Sequence, residues 1–222
     1  MKDKPSRKIP KNYRNITGLF YSNKAKRHIA FESKLERDFL TLFEFDERVT
    51  EILEQPYTIE YTYQGKDCRY TPDFMIKLDY SGTSQLIEVK YYDDFKNNYQ
   101  ELKQKFYAGR DYAKNELHKT KYKIFTEKCP LVQNENYLFN ARFLLQFNTF
   151  NYDNLDKVLN IFKYQMTIDE IAQQVSSDKY EQLAFIRDMW AMVRHKIVKV
   201  NLQHRIGLDT VIISVKRRGY EF

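Results

Sequence analysis

Between Arg69 and Tyr91 two short runs rich in apolar and β-prone residues, Phe74 to Leu78 and Leu86 to Tyr91, flank Asp79-Tyr80-Ser81-Gly82-Thr83-Ser84, whose composition is that of a turn. The pattern predicts an antiparallel hairpin. With its turn centred near Gly82, Asp73 of Thr71-Pro72-Asp73-Phe74 falls opposite a residue close to Tyr91, within about two positions of Glu88 and Lys90. Side chains alternate along a strand, so Glu88 and Lys90 share one face while Ile87 and Val89 point the other way. Two carboxylates and an ammonium then converge. Carboxylates held this close repel unless a cation lies between them, and hard oxygen ligands suit magnesium or manganese, which would position a water and neutralise a phosphodiester. Lys90 would serve that water or the developing negative charge. The same spacing also fits an ordinary exposed hairpin, with a cross-strand Glu/Lys pair worth at most about 1 kcal/mol.

The surrounding chain narrows the choice. At 222 residues, 42% hydrophobic and 16% aromatic, it is large enough for a real core and for one or two domains. No run of about 18 apolar residues occurs, and the N-terminus is too basic and polar for a signal peptide, so a soluble, cytoplasmic protein is expected. Cys68 and Cys129 lie far apart, and the four histidines show no metal-ligand spacing, which argues against zinc and a disulfide framework. Walker, G-x-S-x-G and H-E-x-x-H motifs are absent.

Charge is unevenly placed. Residues 1 to 27 hold nine Lys or Arg against Asp3 alone, leaving the remainder close to neutral although the whole chain is +7. This stretch, with Lys8, Lys11, Arg14, Lys24, Lys26 and Arg27, reads as a basic flexible arm suited to a DNA phosphate backbone. A solubilising tail would have the same composition.

Phe31 to Phe43 is strongly helical, with Leu35, Phe39, Leu42 and Phe43 in one stripe. Glu36 flanks that stripe and can lean toward its packing partner, yet Ser33-x-x-Glu36 is also a capping box; Glu32 competes for the same role. Gln55-Pro56 ends a short segment, and Ile59, Tyr61 and Tyr63 alternate into a Gln64-Gly65 turn, predicting a strand that leads into the hairpin. Tyr99 to Leu117 follows a helical period with Gly109 as a weak spot, and Lys121 to Phe125 is one more strand. The order predicts an α/β domain, a mixed sheet with flanking helices. From about Tyr137 the pattern becomes short helices, 137–147, 152–162, 168–175 and 179–195, then strands 197–202 and 210–215 around Gly207. This predicts a small, helical, winged-helix-like C-terminal domain, with Arg187, Arg194, Lys196 and Lys199 candidates for DNA contact.

Four segments, Phe31-Glu32-Ser33-Lys34-Leu35-Glu36-Arg37-Asp38-Phe39-Leu40, Glu54-Gln55-Pro56, Tyr70-Thr71-Pro72-Asp73-Phe74 and Leu86-Ile87-Glu88-Val89-Lys90, resemble in order and spacing those of TnsA-type endonucleases. These are one half of the two-protein transposase of cut-and-paste bacterial transposons, some carried with CRISPR systems. The resemblance covers roughly residues 28 to 130. It implies a restriction-endonuclease-like fold that cuts the 5′ strands at transposon ends beside TnsB, with a C-terminal domain contacting the ATPase regulator TnsC. It puts the catalytic Glu on Glu36, the Asp on Asp73 and the Lys on Lys90. Glu88 stands where some members have Gln, and a Glu there should hold metal more strongly. The expectation is a magnesium-dependent DNA endonuclease: Asp73 and Glu88 hold metal, Glu36 completes or orients the site, and Lys90 serves the water or the transition state. Its parts are an arm (1–27), a catalytic domain (28–135) and a partner-binding domain (136–222). A stand-alone restriction or junction-resolving nuclease and a non-catalytic assembly module remain as alternatives.

Overall fold

The computed structural model describes residues 17–79 and 82–216 and divides the chain into two compact units, Met1–Gln133 and Asn134–Phe222. Among the described residues no helix is long and apolar enough to cross a membrane, and both cysteines are free.

In the first unit Ser33 caps α1 (Lys34–Phe45), its hydroxyl accepting from Glu36 N. The expected stripe is buried, and it packs where the sheet is most aromatic. Phe39 stacks on Phe125 at 5.0 Å between ring centroids, and Phe43 meets Phe74 edge-on at 6.1 Å.

The sheet contains β3 (Val49–Glu54), β6 (Phe74–Leu78), β7 (Thr83–Val89) and β8 (Thr120–Phe125) in the order β3-β6-β7-β8. The first two pairings are antiparallel and the last is parallel, so the sheet is mixed as expected. Between β7 and β8 the chain passes through α2 (Tyr92–Asn97) and α3 (Tyr99–Asn115), the long crossover that a parallel pair requires.

Three expectations about the sheet and the helix packed on it need correction. The strand at Ile59 does not lead into the central sheet. It is β4 (Ile59–Tyr63), which pairs with β5 (Lys66–Tyr70) in a separate hairpin, while β3 takes the sheet position. The central register is also tighter, with Phe74 opposite Ile87 and Leu78 opposite Thr83, which sets Asp73 across from Glu88 rather than near Tyr91. Gly109 is no weak spot either: a Cβ there would lie 2.6 Å from the Tyr122 ring, so glycine is what lets β8 and α3 approach.

Part of the stretch expected to be a flexible arm is instead folded. β1 (Gly18–Ser22) and β2 (Arg27–Phe31) form a hairpin in which Lys24 Nζ donates to the carbonyls of Phe43 and Asp46, and Arg27 grips Glu54. Lys8, Lys11 and Arg14 lie outside the described residues.

The short α4 (Pro130–Gln133) closes the first unit; the second contains α5 (Glu135–Leu144), α6 (Tyr152–Ile161), α7 (Ile168–Val175) and α8 (Lys179–Arg194), then an antiparallel ribbon of β9 (Val198–Val200) and β10 (Ile212–Val215). Thr167 and Glu170 close the capping box read from the sequence. Arg194 is buried and so is not the solvated cation expected there, whereas Arg187, paired with Asp188 at 3.0 Å, stays exposed.

Candidate active site

Alternation along β6 and β7 sorts the central residues by face. Phe74, Ile87, Val89 and Phe125 line the side covered by α1, while Met75 and Leu86 face a cluster with Ile59, Tyr70 and Ala113 from the β4–β5 hairpin and α3. Asp73 and Glu88 have the parity of that second face. They enter it side by side at the open end of the strands.

Asp73 is fixed through its own backbone and its carboxylate. Gln55, at φ +44° just past β3, donates its N–H to the Asp73 carbonyl at 2.7 Å. Asp73 Oδ2 accepts the Val89 N–H, also at 2.7 Å. Next to Gln55, Glu54 is buried and takes two Arg27 hydrogen bonds of 2.6 Å. Glu54-Gln55-Pro56 therefore acts as the peg that orients the Thr-Pro-Asp turn.

Glu88 is only 2% exposed. Its Oε2 accepts the Tyr70 hydroxyl at 2.7 Å, and its Oε1 faces Lys105 Nζ at 2.9 Å and Lys90 Nζ at 3.7 Å. Burial, then the Glu88 and Glu36 charges, push the Asp73 carboxyl well above the ordinary carboxylate range, against the opposing pull of the Val89 N–H and Lys90. Glu36 is also raised, chiefly by burial, against the hydrogen bonds from the Glu32 N–H and the Ser33 hydroxyl; the Glu32 charge adds to the rise and Lys90 opposes it. All four expected residues thus share one electrostatic environment.

They do not share one ligand cluster. Glu36 Oε1 accepts from Ser33 Oγ at 2.9 Å and Oε2 from Glu32 N at 2.8 Å, so both oxygens bind the amino end of α1. Among the described residues, no group of three or more His, Cys, Asp or Glu side chains is arranged to hold one metal ion. Asp73 and Glu88 remain as a pair of adjacent hard-oxygen donors whose repulsion a cation would relieve. Such a pair fits magnesium, which keeps several waters and takes only one or two protein carboxylates.

Tyr70, Lys105 and Tyr122 did not stand out in the sequence. Tyr70 precedes the Thr-Pro-Asp turn, and Lys105 flanks the buried Phe106 on α3, a faint signal for a cation drawn inward.

A mixed sheet with an acid pair and a lysine at the end of its central hairpin belongs to the restriction-endonuclease-like class. Within that class, residues 46–127 match the family model described as TnsA-like endonuclease N terminal. The stretch is similar to the N-terminal domain of TnsA-like endonucleases, and Asp73, Glu88 and Lys90 lie inside it; Glu36 lies before it. No curated protein matches the chain.

Proposed function

We propose that the chain is a metal-dependent DNA endonuclease of a Tn7-like transposition system, cutting the 5′ strands at transposon ends. The observation that supports this most is the facing of Asp73 and Glu88, with Lys90 two residues on, within the TnsA-like stretch. Asp73 and Glu88 would hold magnesium or manganese, which when bound supplies charge neutralisation at the phosphodiester and an activated water. Lys90 offers its ammonium to the attacking water or to the charge developing on the phosphate. Glu36 orients the site by fixing the start of α1.

Recognition comes largely from partners. A basic N-terminal arm adds only sequence-independent attraction, with dissociation constants of about 10⁻⁴ to 10⁻⁶ M at physiological salt. A TnsB-like transposase holding the transposon end would make cleavage effectively intramolecular, and the winged-helix-like C-terminal unit would engage a TnsC-like ATPase. The test incubates the chain with end-containing DNA and magnesium, with and without the TnsB-like and TnsC-like proteins, and maps breaks on each strand. Partner-dependent 5′-strand breaks are expected; efficient site-specific cutting by this chain alone would favour a stand-alone nuclease.

A further inference from the structure

Two lysines approach the buried Glu88 carboxylate, and they differ in how they are held. Lys105 Nζ is 2.9 Å from Oε1 on a side chain 20% exposed, whereas Lys90 Nζ is 3.7 Å away on a side chain 35% exposed. The Lys105 ammonium also sits 5.2 Å from the ring centres of both Tyr70 and Phe106.

The other Glu88 oxygen is anchored by a relay. Tyr70 donates its hydroxyl proton to Oε2, so in the 2.7 Å contact between the Tyr70 and Tyr122 hydroxyls the donor is Tyr122. Tyr122 is seated in turn against Gly109, where no side chain could fit. One turn in the middle of α3 thus supplies a cation and a wall for the same carboxylate.

We infer that Lys105, steadied by Tyr70 and Phe106, is a positioning residue that takes the ion pair with Glu88 and leaves Lys90 for the substrate phosphate. This rests on the nuclease reading above. Without Lys105, Glu88 would draw Lys90 inward, and the carboxylate pair would carry one less compensating positive charge.

The test compares the full-length wild type with Lys105→Met, Lys105→Arg and Tyr70→Phe. Strand cleavage is measured with partner proteins and magnesium, and Mn²⁺ binding to the DNA-free protein by calorimetry. Lys105→Met should lower kcat by about tenfold or more with KM unchanged. It should also bind Mn²⁺ at least about threefold more tightly, because a repelling ammonium has been removed. Lys105→Arg should restore both values toward wild type, and Tyr70→Phe should lower kcat with Mn²⁺ affinity little changed. Lys105→Met cutting as wild type does, or binding Mn²⁺ no more tightly, overturns the positioning role while the nuclease reading stands. If Lys105→Met does not fold, a folded Lys105→Arg whose kcat and Mn²⁺ affinity both depart from those of wild type overturns the role. A wild type that neither cuts nor binds Mn²⁺ overturns both.

Discussion

The second unit buries an acid that the fold satisfies, and the first sets a half-buried acid, Asp73, against the buried Glu88. Asp188 on α8 is 2% exposed, yet its Oδ2 accepts from Asn151 N and Asn154 Nδ2, each at 2.9 Å, and its Oδ1 from Arg187 at 3.0 Å. Burial works against its charge, but the Asn151, Asn154 and Arg187 donors outweigh it and hold the carboxyl below its ordinary range. At Asp73 desolvation acts in the same direction, and its neighbours add to it: the Glu88 and Glu36 charges raise it further. A donor-saturated acid is part of the architecture. An acid pressed against other acids marks a place where a cation or substrate completes the structure.

The contrast is most exposed to failure at Lys90. Lys90→Ala should lower magnesium-dependent strand cleavage about a thousandfold, roughly 4 kcal/mol, while the melting curve stays that of a folded protein. A purified, folded variant that cuts nearly normally with all partners present would remove Lys90 from the site.

Asp188 should show the opposite signature, on stability. Asp188→Asn breaks up a saturated donor set and should destabilise the chain by about 2 kcal/mol near neutral pH. Because the Asp188 carboxyl is depressed when folded, its contribution exists above the ordinary carboxylate pKa and is lost as pH falls through the depressed value. Denaturant titrations should therefore find wild type and variant converging in acid. A difference that did not vary with pH would mean that the hydrogen bonds do not depend on the ionised form.

Asp73→Asn should move stability the other way and by less, a gain of about 1 kcal/mol or roughly 2–4 °C near neutral pH. The Asp73 carboxyl is raised when folded, so the folded state favours its proton; that contribution is present below the ordinary carboxylate range and lost as pH rises through the raised value. The neutral amide avoids the loss and can still accept the Val89 N–H. Its advantage should grow from acid toward neutral pH, and a variant less stable than wild type near neutrality would contradict the proposed frustration.

The pairing that brings the candidate site residues together was more legible in the sequence than the sheet that presents them. Period-two patterning around the turn near Gly82 was enough to pair β6 with β7 and to put Glu88 and Lys90 on one face. The register came out differently because turn composition does not fix which residue is central, and a small shift moves Asp73 from Tyr91 to Glu88. β3 was missed as a sheet strand since Val49–Glu54 carries Glu51 and Glu54 within a short run, and its role depends on β6 and on Arg27, a partner 27 positions away. Lys24 and Arg27 read as arm residues because charge in a sequence does not reveal a buried partner. The Ser33 cap of α1 was legible, but Glu36 does not close a capping box: its oxygens accept from the Ser33 hydroxyl and the Glu32 N–H.

One variant brings the two halves of the contrast together. The strand-cleavage rate of full-length Asp73→Asn, measured with magnesium, transposon-end DNA and the partner proteins, should fall about a thousandfold in a protein at least as stable as wild type. Near-normal cleavage by that variant would contradict the assignment of the Asp73–Glu88–Lys90 junction as the nuclease centre.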